Sequence, residues 1–151
     1  MSLPHRIAAG AVVIHQQRVL LVRYAPSSGG TYLVAPGGGV HDAEPFGQAA
    51  ERETLEETGV IVAARHVLAV EDLLCSRYRM CKTWFYCELV SGEPHPTEGA
   101  KLERITQAAW FTREQLSPET VYPSILTQYD WSQFASPQWT PQWMELRRAS
   151  F

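Results

Sequence analysis

Apolar and polar positions along this chain come in short blocks whose period changes from strand to helix and back. Residues 6–14 and 18–23 are apolar runs on either side of the polar His15-Gln16-Gln17, the pattern of two strands joined by a turn. Residues 32–35 form a short apolar run that reads as a buried strand. It leads directly into Pro36-Gly37-Gly38-Gly39, where three glycines predict a loop that lets backbone approach a ligand or ion. Residues 44–58 read as a helix, with Gly59 at the position of a left-handed cap. Residues 60–74 carry strand material with an expected break near Arg65-His66. Residues 79–90 alternate, with Cys81, Thr83, Phe85, Cys87 and Leu89 on one side and Met80, Lys82, Trp84, Tyr86 and Glu88 on the other. Both sides are bulky, so this strand is expected mid-sheet with cover on each face. Residues 91–101, with Pro94 and Pro96, read as a loop, and 105–111 as a last strand. Residues 113–116 and 123–129 read as helices. The mixture predicts an α/β fold.

The predicted helix carries acid on the face it should turn inward. At about 100° per residue from Glu44, Glu53 falls near ~180°, Glu56 near ~120° and Glu57 near ~220°. Phe46, Ala49 and Ala50 share that arc. Glu53 and Glu57 form an i,i+4 like-charge pair, which costs a few tenths of a kcal/mol in water. Partial burial raises that cost, because each carboxylate loses hydration. A divalent cation offsets it directly, and oxygen ligands clustered without Cys or His suit Mg²⁺ or Mn²⁺. Arg52 is spaced to reach Glu56 and hold it. The plain alternative is a solvated acidic helix face. The order strand, glycine loop, acidic helix weighs against it.

Composition narrows the classes. A chain of 151 residues, 45% hydrophobic, is expected to form one domain over residues 1–151. The net charge is −3 and the longest basic run is Arg147-Arg148, which argues against a nucleic-acid polymer as partner but not against a nucleotide. An acidic protein that binds polyphosphate needs a bridging cation. Neither an apolar membrane span nor a basic-then-apolar leader is visible. Cys75, Cys81 and Cys87 form no Cys-x-x-Cys pair, so reduced thiols and a cytoplasmic setting are expected. Five scattered histidines with no i,i+4 pair argue against zinc.

Residues 38–60 resemble the signature of the Nudix hydrolases: Gly38, five residues, Glu44, seven residues, Arg52-Glu53, two residues, Glu56-Glu57, one residue, Gly59, then aliphatic Val60. Thr54 stands where the family usually has an aliphatic residue, and looser helix packing is expected there. The resemblance implies an α/β/α sandwich around a central mixed sheet. It also implies Mg²⁺- or Mn²⁺-dependent hydrolysis of a nucleoside diphosphate linked to another group. By the same resemblance, Glu56 and Glu57 are metal ligands, Glu53 is a ligand or base, and the Gly37 carbonyl adds an oxygen. Gly38 and Gly59 are structural, Glu44 buttresses the loop, and Arg52 orients the acids. Many members add an acid from a later loop; Glu98 is the first choice for this catalytic role and Glu103 the second.

Substrate contacts are less legible. Arg23 and Arg79, with Arg77, are candidates for phosphate or ribose, and His5 and Arg6 for base or phosphate. Tyr78, Trp84 and Tyr86 serve either as core or as stacking rings. The aromatic tail, Trp131, Phe134, Trp139, Trp143 and Phe151, is expected to pack the core or a homodimer contact, or else to border the pocket. Two substrate classes stay open: a nucleoside triphosphate or oxidised nucleotide, and an ADP-ribose-type sugar nucleotide. The alternative function is a non-catalytic Nudix module that binds a nucleotide and regulates a partner.

Overall fold

A computed structural model describes residues 2–149; Phe151 lies outside the described residues. The first two strands, β1 (His5–His15) and β2 (Arg18–Tyr24), form a hairpin closed by Gln16 and Gln17, both at positive φ (51° and 61°). That geometry matches the right-handed twist of the strands it joins. β3 (Tyr32–Val34) pairs with β2, and β4 (Gly37–Gly39) lies antiparallel to β1. The helix α1 (Phe46–Thr58) precedes two long strands, β5 (Ile61–Leu74) and β6 (Arg79–Ser91), which pair antiparallel. β6 also runs parallel to β1, from His5↔Arg79 to Val13↔Cys87, so it is mid-sheet as its alternation requires. After the short helix α2 (Glu98–Leu102) comes β7 (Ile105–Thr112), antiparallel to β2. The chain ends with α3 (Arg113–Leu116), β8 (Val121–Tyr122), α4 (Ile125–Gln128), a 3-10 turn at Trp131–Gln133, β9 (Gln142–Trp143) and β10 (Arg147–Arg148). β8 pairs parallel with β3, and β9 and β10 run parallel to β5.

The curled mixed sheet is covered on both faces. Ala49 and Ala50 of α1 pack with Ala9, Ala11, Val13, Leu20, Val60 and Val62 on one side. Small alanines let the helix lie close to the sheet. On the other side Val12, Leu21, Leu33, Leu68 and Trp84 meet Leu116, Ile125, Leu126, Trp131 and Phe134. This is the α/β/α sandwich expected from the sequence. Trp139 meets Tyr129 and Phe134 edge-on, with centroids 5.0 and 5.2 Å away, whereas Trp143 is 81% exposed.

Several expectations change. The glycine segment is not a free loop: it is a strand, because a Cβ at Gly37 would stand 2.6 Å from the Ala9 carbonyl oxygen. Its glycines serve close backbone packing. The break expected at Arg65-His66 is a bulge, with register shifts on both sides of Val67, and the strand continues through it. The loop after β6 contains α2, and α4 begins at Ile125. The helix α1 starts at Phe46, after Pro45 at its N-cap, which leaves Glu44 outside it. Its buried residues are Ala49, Ala50, Thr54, Glu57 and Thr58. That arc centres near ~250° on the wheel, not near ~180°. Thr54 therefore sits in the middle of the contact, fully buried, and its hydroxyl donates to the Ala50 carbonyl at 2.7 Å. Satisfied in this way, it causes no loosening that the packing shows. Phe46 is instead 43% exposed. All three cysteines are unbridged. Among the described residues no helix is long and apolar enough to cross a membrane.

Candidate active site

The Glu53 carboxyl group lies directly over Gly38. A Cβ at that glycine would stand 2.6 Å from the carboxyl carbon. Any side chain at position 38 would push Glu53 away. Gly59 ends α1 at φ 74°, its N–H donating to the Leu55 carbonyl, and the ring of His95 occupies the space where a Cβ would go.

Arg52 organises the acids along the rim. Its guanidinium donates to Glu44 at 2.7 and 2.9 Å, to Glu53 at 3.0 Å, to Glu56 at 3.1 Å and to the Gly39 carbonyl at 2.9 Å. Glu44 also accepts from the His41 N–H, and the Arg52 contact holds its carboxyl down at about 2. Glu53 moves the other way: burial raises it, against the pull of Arg52. Glu56 is the outer member, its side chain 55% exposed.

Glu57 is different. It is 5% exposed and accepts from the Gly37 N–H at 3.0 Å. Burial pushes it up to about 8, more than the nearby Lys82 ammonium pulls it down. Lys82 is itself buried and shifted down by desolvation, with Glu71 and Glu57 opposing. Its Nζ rests 4.2 Å from the centre of the Trp84 ring. The sequence reading missed Lys82 and Glu71 as site residues. Lys82 left one signal, a charge set between the bulky Met80 and Trp84 on one side of an alternating strand. Glu71 left none.

Glu57 and Lys82 face a cleft of about 490 Å³, whose walls include Arg6, Gly37, Tyr78, Glu103 and Arg104. The later acid is delivered by α2. The Thr97 hydroxyl donates to the Glu56 carbonyl and accepts from the Ala100 N–H, and the His95 N–H donates to the Thr58 carbonyl. These ties pin α2 to the end of α1. Arg104 then takes φ 66°, and the turn points Glu103 at the cleft, where its charge raises both Glu53 and Glu57. Glu98 lies on the outer side, its side chain 92% exposed and paired with Lys101 at 3.1 Å.

The arginine candidates divide the same way. Arg23 makes a forked pair with Glu119 at 3.1 and 2.9 Å, on the opposite side of β2 from the cleft-lining Val22 and Tyr24. Arg79 is committed to Asp72 at 2.7–2.9 Å. Arg6 reaches the cleft, stacked 4.2 Å over the Tyr78 ring. Tyr86 stacks on His66.

A profile of the NUDIX domain matches residues 4–132. The chain belongs to the Nudix family. Solved structures carry the same fold. A MutT NUDIX hydrolase from Burkholderia pseudomallei is 26% identical, with 83% of this chain and 98% of that one covered and a TM-score of 0.66. A NUDIX hydrolase from Nitrosomonas europaea is 24% identical over 83% and 84% of the two chains, TM-score 0.68. An ADP-ribose pyrophosphatase from Streptococcus suis is 21% identical over 92% and 98%, TM-score 0.63. No curated protein matches. Nudix hydrolases act on phosphorus-containing anhydrides.

Among the described residues no three His, Cys, Asp or Glu side chains converge into a ready-made metal cage. Arg52 holds Glu53 and Glu56, and the Gly37 N–H holds Glu57. The Nudix acids nonetheless suit a hard divalent cation: they are all oxygen donors, and two are desolvated with too little positive charge beside them.

Proposed function

We propose that this Nudix protein is a Mg²⁺- or Mn²⁺-dependent pyrophosphohydrolase of a small nucleotide diphosphate derivative. The observation that carries this reading is the desolvated Glu57 carboxyl group, on a cleft shared with Glu103 and three basic side chains. Glu53, Glu56 and Glu57, with the Gly37 carbonyl, are the groups that would hold the cation. Bound there, the ion supplies neutralisation of diphosphate charge and polarisation of the P–O bond. The remaining roles belong to the chain. Glu103 accepts the proton of the attacking water. Arg6, Lys82 and Arg104 meet phosphate oxygens, replacing Arg23 and Arg79. Arg52 keeps Glu53 and Glu56 oriented. Glu98, exposed and paired with Lys101, has no part in this reading.

Unbridged thiols, one of them exposed, support a reducing, cytoplasmic setting. A homodimer would rest on the exposed Trp143 ring, and sedimentation of Trp143→Ser against the parent chain tests it. The main test is phosphate release with Mg²⁺ or Mn²⁺ over nucleoside triphosphates, ADP-ribose, dinucleoside polyphosphates and NADH. Turnover of at least one is expected, falling about 100-fold or more in Glu103→Gln and unchanged in Glu98→Gln. Silence across the panel favours the non-catalytic nucleotide-binding module. Loss in Glu98→Gln alone returns the base to Glu98.

A further inference from the structure

One buried ion pair that the sheet makes available is not formed. In the register of β5 and β6, Glu71 stands directly across from Lys82. Opposed residues on paired strands have their Cβ atoms about 4.5–5.5 Å apart, so a Glu and a Lys there ordinarily meet. Glu71 is 3% exposed and Lys82 9%, which makes each the obvious counter-ion of the other. Among the described residues Glu71 pairs instead with Arg147, at 3.4 Å. Lys82 leans the other way. A Cβ at Gly37 would stand 3.0 Å from its Cε, and its Nζ lies 4.2 Å from the centre of the Trp84 ring. Gly37 is on β4, which pairs with β1, and β1 pairs with β6. From β6, Lys82 therefore reaches across β1 toward Gly37 and the cleft, while Glu71 lies on the opposite side, on β5. Arg147 arrives from β10, past residue 132 where the NUDIX profile ends, and docks beside Leu73 of β5. Its guanidinium also lies 4.2 Å over the Tyr122 ring. With Glu71, Tyr122 and Lys82 it lines a second cavity, of about 210 Å³, behind the cleft.

Taking the diphosphate reading above as its basis, we propose that Arg147 is a positioning residue: by taking Glu71 it leaves Lys82 to the cleft, where the ammonium meets substrate phosphate. A buried carboxylate stripped of its counter-ion is strongly disfavoured, so it recruits the nearest cation. Without Arg147 that cation is Lys82, its neighbour across the strands. A lysine carries a compact charge on a flexible stem, so it can swing from one side of β6 to the other without backbone movement. Bridged to Glu71, it is withdrawn from the phosphate. Arg147 lines the rear cavity and not the cleft, so its influence on substrate passes through Glu71 and Lys82. An arginine from outside the matched domain thereby sets which way a buried lysine of that domain points.

The experiment reads binding and geometry, not turnover, so it fails independently of the hydrolase reading. The full chain, with Mg²⁺ at a fixed concentration, is titrated calorimetrically with methylenediphosphonate, a diphosphate analogue whose bridge cannot be hydrolysed. Arg147→Met should weaken binding about tenfold, the size of one lost charge contact. Adding Glu71→Gln to Arg147→Met should restore the parent affinity, because Lys82 then has no buried carboxylate on β5 to leave the cleft for. A crystal structure of Arg147→Met should show Lys82 bridged to Glu71 instead of lying over Trp84. If Arg147→Met does not fold, Arg147→Gln carries the same three measurements. Lys82 unmoved in that crystal overturns the proposal, as does parent-like affinity in the single variant or no binding by the parent chain. So does a loss that persists in the double variant, because that is the behaviour of a merely structural residue. Silence across the phosphate-release panel alongside the expected binding results removes the hydrolase reading alone.

Discussion

The rim and the floor of the site crowd negative charge in two different ways. On the rim, one forked cation, Arg52, serves Glu44, Glu53 and Glu56 through hydrogen bonds of 2.7–3.1 Å. Glu44 becomes a stronger acid through that contact, while burial still outweighs it at Glu53. On the floor, Lys82 faces Glu57 and Glu71 but forms no close ion pair with them among the described residues, and burial dominates. Glu57 is pushed up and Lys82 down, each toward its neutral form. Both partners shift in the direction that desolvation demands, so attraction between them is the smaller effect. The rim is built for geometry. The floor holds two groups whose ionised forms burial disfavours, a cost that a cation and an anionic substrate would relieve on the proposed reading.

The sharpest way to break this contrast is Glu57→Gln. Turnover should fall at least about 100-fold, equivalent to about 2.7 kcal/mol of lost transition-state stabilisation. The thermal midpoint of the metal-free protein should stay level or rise, because a desolvated carboxylate is removed and the amide oxygen still accepts from Gly37. A fall in both would make Glu57 a structural residue. On the rim, Arg52→Lys keeps the charge and loses the fork. Activity should fall about tenfold, with Mg²⁺ affinity lowered; steady-state rates across a Mg²⁺ series read this out, and an unchanged rate would show that a point charge suffices.

The smallest effect concerns acid stability. The folded Glu44 carboxyl is held at about 2, below its ordinary 4.5. A depressed carboxylate contributes stability that is fully present above the unfolded value and lost as pH falls through the folded one. The parent protein should therefore lose stability between about pH 4.5 and 2 more steeply than Glu44→Gln. Urea midpoints across that window measure it, and parallel curves would show that the Glu44–Arg52 pair adds nothing to folding.

How much of this was legible depended on sequence separation. The pattern from Gly38 to Gly59 could be read because its residues follow one another through one short strand, one turn and one helix. The hairpin at Gln16-Gln17 and the mid-sheet position of β6 were legible for the same reason. The wheel misjudged which side of α1 faces the sheet, since the arc depends on what packs against it. Thr54 proved central and Phe46 peripheral. Sequence alone ranked Glu98 ahead of Glu103 as the later acid. The bond from Thr97 to Glu56, and the left-handed turn at Arg104, set one outside and the other in the cleft.

The local sequence, by itself, determined the chain's family, its sandwich of strands and helices, and the acids on one helix face, because such features follow from periodicity and short-range spacing. Tertiary structure alone decided that Lys82 and Glu71 are buried beside Glu57, that Arg23 and Arg79 are committed to other partners, and that Arg147 returns from the far end of the chain to close a cavity. Burial and charge pairing are properties of neighbours in space, and those neighbours come from segments that the linear pattern leaves unrelated.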